Sequence, residues 1–94
     1  MSTGAYAITA GTSNVQAQPA RARHYLGIYN QSTTASVYIA FDTPAVAAAT
    51  AGQITLLPVV GANKSSVEFT GQIVPNGAIN LIASAAATPC TIIG

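Results

Sequence analysis

Residues 21–42 contain two segments rich in β-branched and aromatic residues, and this stretch constrains the fold more than any other part of the chain. Residues 21–30 and 36–42 each alternate between two sets of side chains, which is typical of strands with two different faces. A polar segment, residues 31–35, separates them. Two such segments joined by a short polar turn predict a β-hairpin, against which the rest of the chain could pack.

The first of these segments has two chemically different faces. His24 shares one face with Leu26 and Ile28, so we interpret it as a core or interface histidine and not as a general base. The other face, here called the basic-aromatic stripe, carries Arg21, Arg23, Tyr25 and Tyr29.

The basic-aromatic stripe admits three interpretations. Arg and Tyr are enriched at the energetic centres of protein interfaces, so contact with another protein is one prediction. A partly solvated sheet face explains the same residues equally well. Platforms for single-stranded nucleic acid also combine cations with rings, but three Lys and Arg residues in the whole chain are too few to line a groove. We therefore expect no nucleic-acid partner.

Similar alternating segments recur along the chain and are bounded by Gly and Pro. They lie at residues 14–18, 53–57, 66–70, 78–84 and 90–93. Short strands at this regular spacing predict an all-β fold, a single antiparallel sandwich or barrel of seven to eight strands. The alternation places these residues in the core: Val37, Ile39, Phe41, Ile54, Leu56, Val67, Phe69, Ile79, Leu81 and Ile92.

Two segments do not fit the strand pattern. Residues 1–12 consist mostly of Gly, Ala, Ser and Thr, with Tyr6 and Ile8 as the large apolar residues. We predict that they form an extended arm that becomes ordered on a neighbouring subunit, so that residues 13–94 make up the sandwich domain. Residues 45–52 are rich in Ala and are predicted to form a loop or a short helix.

The shortage of charge is the strongest signal in the composition. Charged residues make up 5% of the chain, against roughly 25% in ordinary soluble domains, and the net charge is +1. Such a surface repels its neighbours weakly, which suits a subunit held permanently among other subunits. An ordinary soluble domain of low charge is the alternative. The apolar runs are far shorter than the roughly 18 residues of a membrane-spanning helix, so no membrane contact is expected.

The chain offers few residues for catalysis. One Cys and one His give neither an internal disulfide nor a recognisable zinc motif, and no metal or cofactor is expected. Asp42 and Glu68 could form a glycosidase pair, but the chain lacks the aromatic residues and the length to build a substrate cleft. We predict no catalytic residue and no enzymatic activity.

The order of several segments resembles that of a family of virus proteins. The segments are RHYLGIYNQS (23–32), SVYIAFD (36–42), ITLLP (54–58), VPNGAINLIAS (74–84) and CTII (90–93). In this order residues 21–94 resemble small virion proteins encoded among the structural genes of tailed phages and prophages. Where that family often has Phe-Gly, this chain has Phe41 followed by Asp42.

The resemblance implies a non-enzymatic role at the capsid surface of a virion. It suggests a capsid decoration (cement) protein that bridges and stabilises major capsid proteins, arranged as a homotrimer. A head-fibre or tail accessory module that binds a host-surface glycan or protein is the alternative. In either role, the residues expected to contact other chains are Tyr6, Ile8, Arg21, Arg23, Tyr25 and Tyr29.

Overall fold

A computed structural model of the chain describes residues 5–20, 22–48, 50–70 and 74–94. Within these residues it has two four-stranded antiparallel sheets, sheet A in the order β1-β8-β3-β6 and sheet B in the order β2-β7-β4-β5. The strands are β1 (Ala5–Ala10), β2 (Val15–Gln18), β3 (Tyr25–Asn30), β4 (Val37–Phe41), β5 (Ile54–Leu56), β6 (Ser66–Thr70), β7 (Ile79–Ala83) and β8 (Thr88–Ile93). The predicted all-β, sandwich-like fold is confirmed.

The core lies between the two sheets and is built from the alternating residues of their strands. Six of the ten predicted core residues are completely or almost completely buried, and the other four pack half-buried against them. Phe41 from sheet B meets Phe69 from sheet A edge to face, with ring centroids 6.2 Å apart. Leu26 and Ile28 of β3 are also fully buried. Period-two alternation therefore predicted which side chains face inward.

The prediction of a hairpin in residues 21–42 is wrong. Strand β3 pairs with β6 and β8 in sheet A, whereas β4 pairs with β5 and β7 in sheet B. The chain between them crosses from one sheet to the other, an arch held by the buried side chain of Asn30. Its Nδ2 donates to the carbonyls of Ala35 (2.8 Å) and Leu57 (3.1 Å), and its Oδ1 accepts from the Ser32 amide (3.0 Å).

The expected N-terminal arm is corrected for residues 5–10. These residues form β1 and pair in unbroken register with β8, from Ala5 opposite Ile93 to Ala10 opposite Thr88. The sandwich thus includes residues that precede the predicted domain boundary at residue 13. Few apolar side chains were needed, because an antiparallel ladder is held by backbone hydrogen bonds as well as by packing. Residues 1–4 lie outside the described part of the chain.

The Ala-rich segment forms a loop over the outer face of sheet B, and its described residues contain no helix. Ala45 is buried against Ala40 and Ile82, and its amide donates to Asn14 Oδ1 (2.7 Å). The Gln53 side chain accepts from the Val46 amide (2.7 Å), which closes the loop. Every residue of β7 is consequently buried, on both faces of the sheet.

Asp42 directly follows β4 and has a backbone conformation that favours glycine. Its φ is 66°, in the left-handed region that Asp tolerates better than most residues. Its Oδ1 accepts from the Ala78 amide (2.9 Å), and its own amide donates to the Ala78 carbonyl (2.8 Å). A Cβ on Gly77 would clash with Asp42 Oδ2, so Gly77 leaves room for the carboxylate. Asp42 therefore occupies a backbone position at which glycine is otherwise favoured.

The described residues include no helix with the length and hydropathy of a membrane span.

Candidate interaction surface

The residues of the basic-aromatic stripe do not form one surface. Arg23 is buried, whereas Tyr25 and Tyr29 are half-buried on the outer face of sheet A. Arg21 lies outside the described residues. The other two predicted contact residues are in β1: Tyr6 pairs with Ile92 along the backbone, and the half-buried Ile8 packs against the core.

Arg23 is an internal cross-link between segments that are distant in sequence. Its Nη1 donates to the carbonyls of Pro75 (2.8 Å) and Gly77 (3.0 Å), and its Nη2 donates to that of Pro19 (3.1 Å). The 6% of its surface that stays exposed leaves little for another chain to touch. A buried cation needs such acceptors to offset its lost hydration. We therefore no longer expect Arg23 to contact a neighbouring subunit.

Tyr25, Tyr29 and Glu68 form the tyrosine cluster on the outer face of sheet A. Both hydroxyls donate to Glu68 Oε2, at 2.7 Å from Tyr25 and 2.8 Å from Tyr29, and the two hydroxyl oxygens lie 3.2 Å apart. The tyrosine tips close over Gly27, since a Cβ there would lie 2.9 Å from Tyr25 Oη and 3.0 Å from Tyr29 Oη. The absence of a side chain at residue 27 thus permits this arrangement.

The hydrogen bonds of the tyrosine cluster shift the pKa values of Tyr25 and Glu68 in opposite directions. The contact with Tyr29, followed by the bond to Glu68, raises the pKa of Tyr25 above its usual value. The bond from Tyr25, followed by that from Tyr29, lowers the pKa of Glu68. At neutral pH Tyr25 is therefore a neutral phenol and Glu68 a carboxylate. The cluster offers ring edges and acceptor atoms for contact, but no activated nucleophile.

His24 is not where the alternation placed it. It lies immediately before β3 and is exposed, so it does not share the buried face of Leu26 and Ile28. Alternation applies only where the backbone is extended, and the strand begins one residue later. The prediction of a core histidine is wrong, and a role for His24 in an interface stays a prediction.

Exposed large apolar side chains concentrate in residues 57–64, here called the apolar loop. Leu57, Val59 and Val60 are 40%, 47% and 54% exposed. The loop follows β5, and the sequence pattern did not reveal it because the alternating segment 53–57 places Leu57 in a strand. The signal that could have revealed it is the adjacent pair of valines between Pro58 and Gly61, where a turn normally has polar residues.

The apolar loop is held firmly against the rest of the sandwich. The Leu57 amide donates to the Lys64 carbonyl (2.8 Å), which closes the base of the loop, and the Val59 amide donates to the Ser32 carbonyl (2.8 Å) in the arch. Asn63 Nδ2 donates to the Pro58 carbonyl (3.2 Å). Four backbone amides of the loop are thus bonded within the chain, while the apolar side chains remain on the outside. Exposed apolar surface of this kind marks interaction sites when it is contiguous.

The two carboxylates considered as a catalytic pair have separate structural roles. Asp42 holds the end of β4 to Ala78, and Glu68 on β6 binds the two tyrosines. In the described part of the chain, no group of three or more His, Cys, Asp or Glu residues is placed to hold a metal ion. Nor do those residues enclose a ligand-sized cavity.

In comparisons with known proteins, no family model, no curated protein and no solved structure matches this chain significantly.

Proposed function

We propose that this chain is a non-enzymatic structural subunit of a virion, a capsid decoration protein that bridges major capsid proteins as a homotrimer. The observation that carries the proposal is the apolar loop. Three large apolar side chains stand exposed on a backbone that Ser32, Asn63 and Lys64 hold in place. A partner protein could cover them without ordering the loop first, which lowers the entropic cost of association.

Two features of the sequence support the same role. The surface carries few charges, so little desolvation of charged groups opposes permanent contact with other subunits. The order of segments in residues 21–94 resembles that of small virion proteins of tailed phages and prophages. Together with an apolar loop, these features favour a subunit that functions in a large assembly.

The structural hydrogen bonds made by the charged side chains support a non-enzymatic role. Arg23, Asp42 and Glu68 each make hydrogen bonds that hold parts of the chain together. A general acid or base needs a group that can reach a substrate proton in a suitable protonation state. The lowered pKa of Glu68 makes it a weak base at neutral pH.

The tyrosine cluster favours a second candidate, a head-fibre or tail accessory module that binds a host-surface glycan or protein. Tyr25 and Tyr29 present amphipathic rings on an outer sheet face, and Glu68 offers carboxylate oxygens beside them. Tyrosine suits recognition because the ring supplies contact area while the hydroxyl makes polar contacts. This surface and the apolar loop differ in chemistry, so substitutions can separate the two candidates.

A binding experiment with two matched variants tests the proposal. Leu57, Val59 and Val60 are changed together to Ser in one variant, and Tyr25 and Tyr29 are changed to Phe in the other. Each is mixed with undecorated capsids of the virus that encodes the chain, and the protein that sediments with them is weighed. We expect the loop variant to lose at least about tenfold in affinity, since three apolar side chains stay in water, and the Phe variant to bind normally.

Circular dichroism and thermal melting establish first that both variants are folded. Normal occupancy by the loop variant would contradict the proposed role of the apolar loop. Loss of binding to host cells by the Phe variant, with normal capsid occupancy by the loop variant, would favour the accessory module instead.

A further inference from the structure

The four sheet edges of the sandwich differ in how well they are protected from pairing with another strand. Unpaired edge strands attract other chains unless they are short, charged, bulged or interrupted by proline. Strand β5 is three residues long and is followed closely by Pro58. Strand β2 has a register shift between Gln16 and Gln18 and ends before Pro19. Strand β6 carries the charge of Glu68.

Strand β1 has none of these protections among its described features. It is six residues long, contains neither charge nor proline, and keeps an unbroken register with β8. Its position at the end of sheet A leaves its other side unpaired within the described residues. The side chains of Ala7 and Thr9 are exposed and small, so they do not obstruct an approaching strand.

The hydrogen-bonding pattern shows which groups of β1 face this open edge. The Gln31 amide donates to the Pro89 carbonyl (3.0 Å), so alternate residues of β8, counted from Pro89, bond towards β3. The intervening residues of β8, Thr88, Cys90 and Ile92, therefore direct their N–H and C=O groups towards β1. They pair there with Ala10, Ile8 and Tyr6, respectively. The N–H and C=O groups that point to the open edge belong to Ala5, Ala7 and Thr9.

We infer that β1 of one copy pairs antiparallel with β1 of a second copy across a two-fold axis at Ala7. In this register Ala7 lies opposite its own counterpart and Ala5 lies opposite Thr9, so every outward-facing group of both strands finds a partner. Sheet A then continues from one subunit into the next. A second copy is the occupant that the geometry favours, because the spacing of the open groups is complementary to itself and β1 has no charge to repel its counterpart.

This inference does not rest on the proposed function. The β1 contact is two-fold and uses a sheet edge, whereas the apolar loop and the tyrosine cluster lie elsewhere in the chain. If the chain also forms trimers through another surface, the β1 contact joins two of them. In either case the assembly contains an even number of chains. Because a single strand edge makes a small contact, the association is weak and needs concentrations up to the order of 1 mM protein to be measured.

Sedimentation equilibrium of the full chain and two proline variants tests the contact. The amide of Ala7 faces the open edge, so Ala7→Pro removes a donor there and leaves the ladder to β8 intact. Thr70→Pro is the matched control, since Thr70 is exposed near the end of edge strand β6. We expect Ala7→Pro to halve the mass of the assembly, with at least about a tenfold loss in affinity, and Thr70→Pro to leave it unchanged.

A second substitution keeps the test decisive if Ala7→Pro fails to fold. Ala7→Lys would place two like charges opposite each other across the two-fold axis and should halve the mass as well. Circular dichroism confirms folding in each case. The inference is overturned if the wild type sediments as a single chain, or as an odd number of chains, up to 1 mM. It is also overturned if the folded Ala7 variants keep the wild-type mass.

Disulfide trapping tests the register. Residues opposite each other in a hydrogen-bonded antiparallel pair have Cα atoms about 5.5 Å apart, within the range that a disulfide spans. Ala7→Cys should therefore give covalent dimers on mild oxidation, whereas Thr9→Cys should not, because Thr9 lies opposite Ala5. Cys90 is buried, and this burial raises the pKa of its thiol to about 11, so it reacts slowly. Equal cross-linking of the two variants would overturn the register.

Discussion

Arg23 and Tyr25 of the tyrosine cluster are two residues apart at the start of β3, but Arg23 and the cluster use their polar groups in opposite ways. The guanidinium of Arg23 is buried and donates to main-chain carbonyls of three residues, Pro19, Pro75 and Gly77. The hydroxyls of Tyr25 and Tyr29 remain at the surface and donate to one oxygen of Glu68. Arg23 therefore stabilises the fold, whereas the tyrosine cluster is available to a partner.

The difference shows that burial, more than residue type, determines the energetic weight of a hydrogen bond. The carbonyls that accept from Arg23 lie in a part-buried site, so loss of the buried donor leaves them less well satisfied than carbonyls at the open surface would be. Hydroxyls and carboxylates at the surface exchange one partner for water at little cost. The same hydrogen-bonding chemistry should thus give a large stability effect at Arg23 and a small one at Glu68.

Substitution of Arg23 should give the largest effect. Arg23→Met keeps much of the length and apolar stem but removes every donor, leaving the carbonyls of Pro75, Gly77 and Pro19 without this partner. We expect the free energy of unfolding to fall by about 2 to 4 kcal/mol, measured by urea denaturation. Arg23→Lys should fall between the wild type and Arg23→Met, since an ammonium cannot reproduce the planar fork. A loss below about 0.5 kcal/mol in Arg23→Met would contradict the assigned role.

Substitution of Gly27 should give an intermediate effect, because it disturbs the tyrosine cluster from beneath. In Gly27→Ala the new Cβ would meet the tips of Tyr25 and Tyr29 at about 3 Å and push the hydroxyls away from Glu68. We expect a loss of about 1 kcal/mol in unfolding free energy, since side-chain tips move more easily than backbone. The pKa of Tyr25, followed by ultraviolet titration, should fall towards its usual value.

The matched control for Gly27→Ala is the same change in a chain that carries Tyr25→Phe and Tyr29→Phe. Without the hydroxyls there is more room for the Cβ, so the cost of the alanine should shrink. An equal cost in both backgrounds would show that the tyrosine tips are not what Gly27 accommodates.

Most of the sandwich could be predicted from the sequence because burial on one side of a strand leaves a period-two pattern. That pattern correctly placed Val37 and Ile39 of β4, and Ile79 and Leu81 of β7, on the core-facing side of sheet B. It could not show which strands pair, because alternation carries no information about neighbours. The arch at residues 31–36 looks like a hairpin turn in sequence, and its direction depends on the three-dimensional contacts of Asn30.

The candidate surfaces were harder to predict than the fold. Tyr25 and Tyr29 were identified as contact residues because they share a strand face, and their partner Glu68 comes from β6, 39 residues beyond Tyr29. Arg23 has the same position in the alternating pattern, but it lies before β3 begins. Its side chain therefore contacts loop residues and does not lie on the sheet face. The apolar loop has no periodicity at all, and its exposure follows from how its backbone is tied to the arch.

Substitution of Glu68 should give the smallest effect at neutral pH and a distinctive one in acid. In Glu68→Gln the amide oxygen can still accept from both tyrosines, so the urea midpoint at pH 7 should be close to that of the wild type. The hydrogen bonds from Tyr25 and Tyr29 lower the pKa of Glu68 in the folded chain below its usual value near 4.5. Between these two values the unfolded chain binds more protons than the folded chain, so acid removes the contribution of Glu68 to stability.

Urea midpoints of the wild type and Glu68→Gln, measured from pH 7 down to pH 2.5, check this sign. Any increase in urea midpoint of the wild type over Glu68→Gln should be complete above pH 4.5. It should disappear as the pH falls through the lowered pKa of Glu68. The double variant Tyr25→Phe, Tyr29→Phe is the matched control, because its Glu68 carboxylate has lost both hydroxyl donors. The difference in urea midpoint between this double variant and the triple variant that also carries Glu68→Gln should be smaller at every pH. If the difference in urea midpoint between the wild type and Glu68→Gln stays constant over this range, the tyrosines do not stabilise the ionised carboxylate. In that case Glu68 and the two phenols would interact mainly with water.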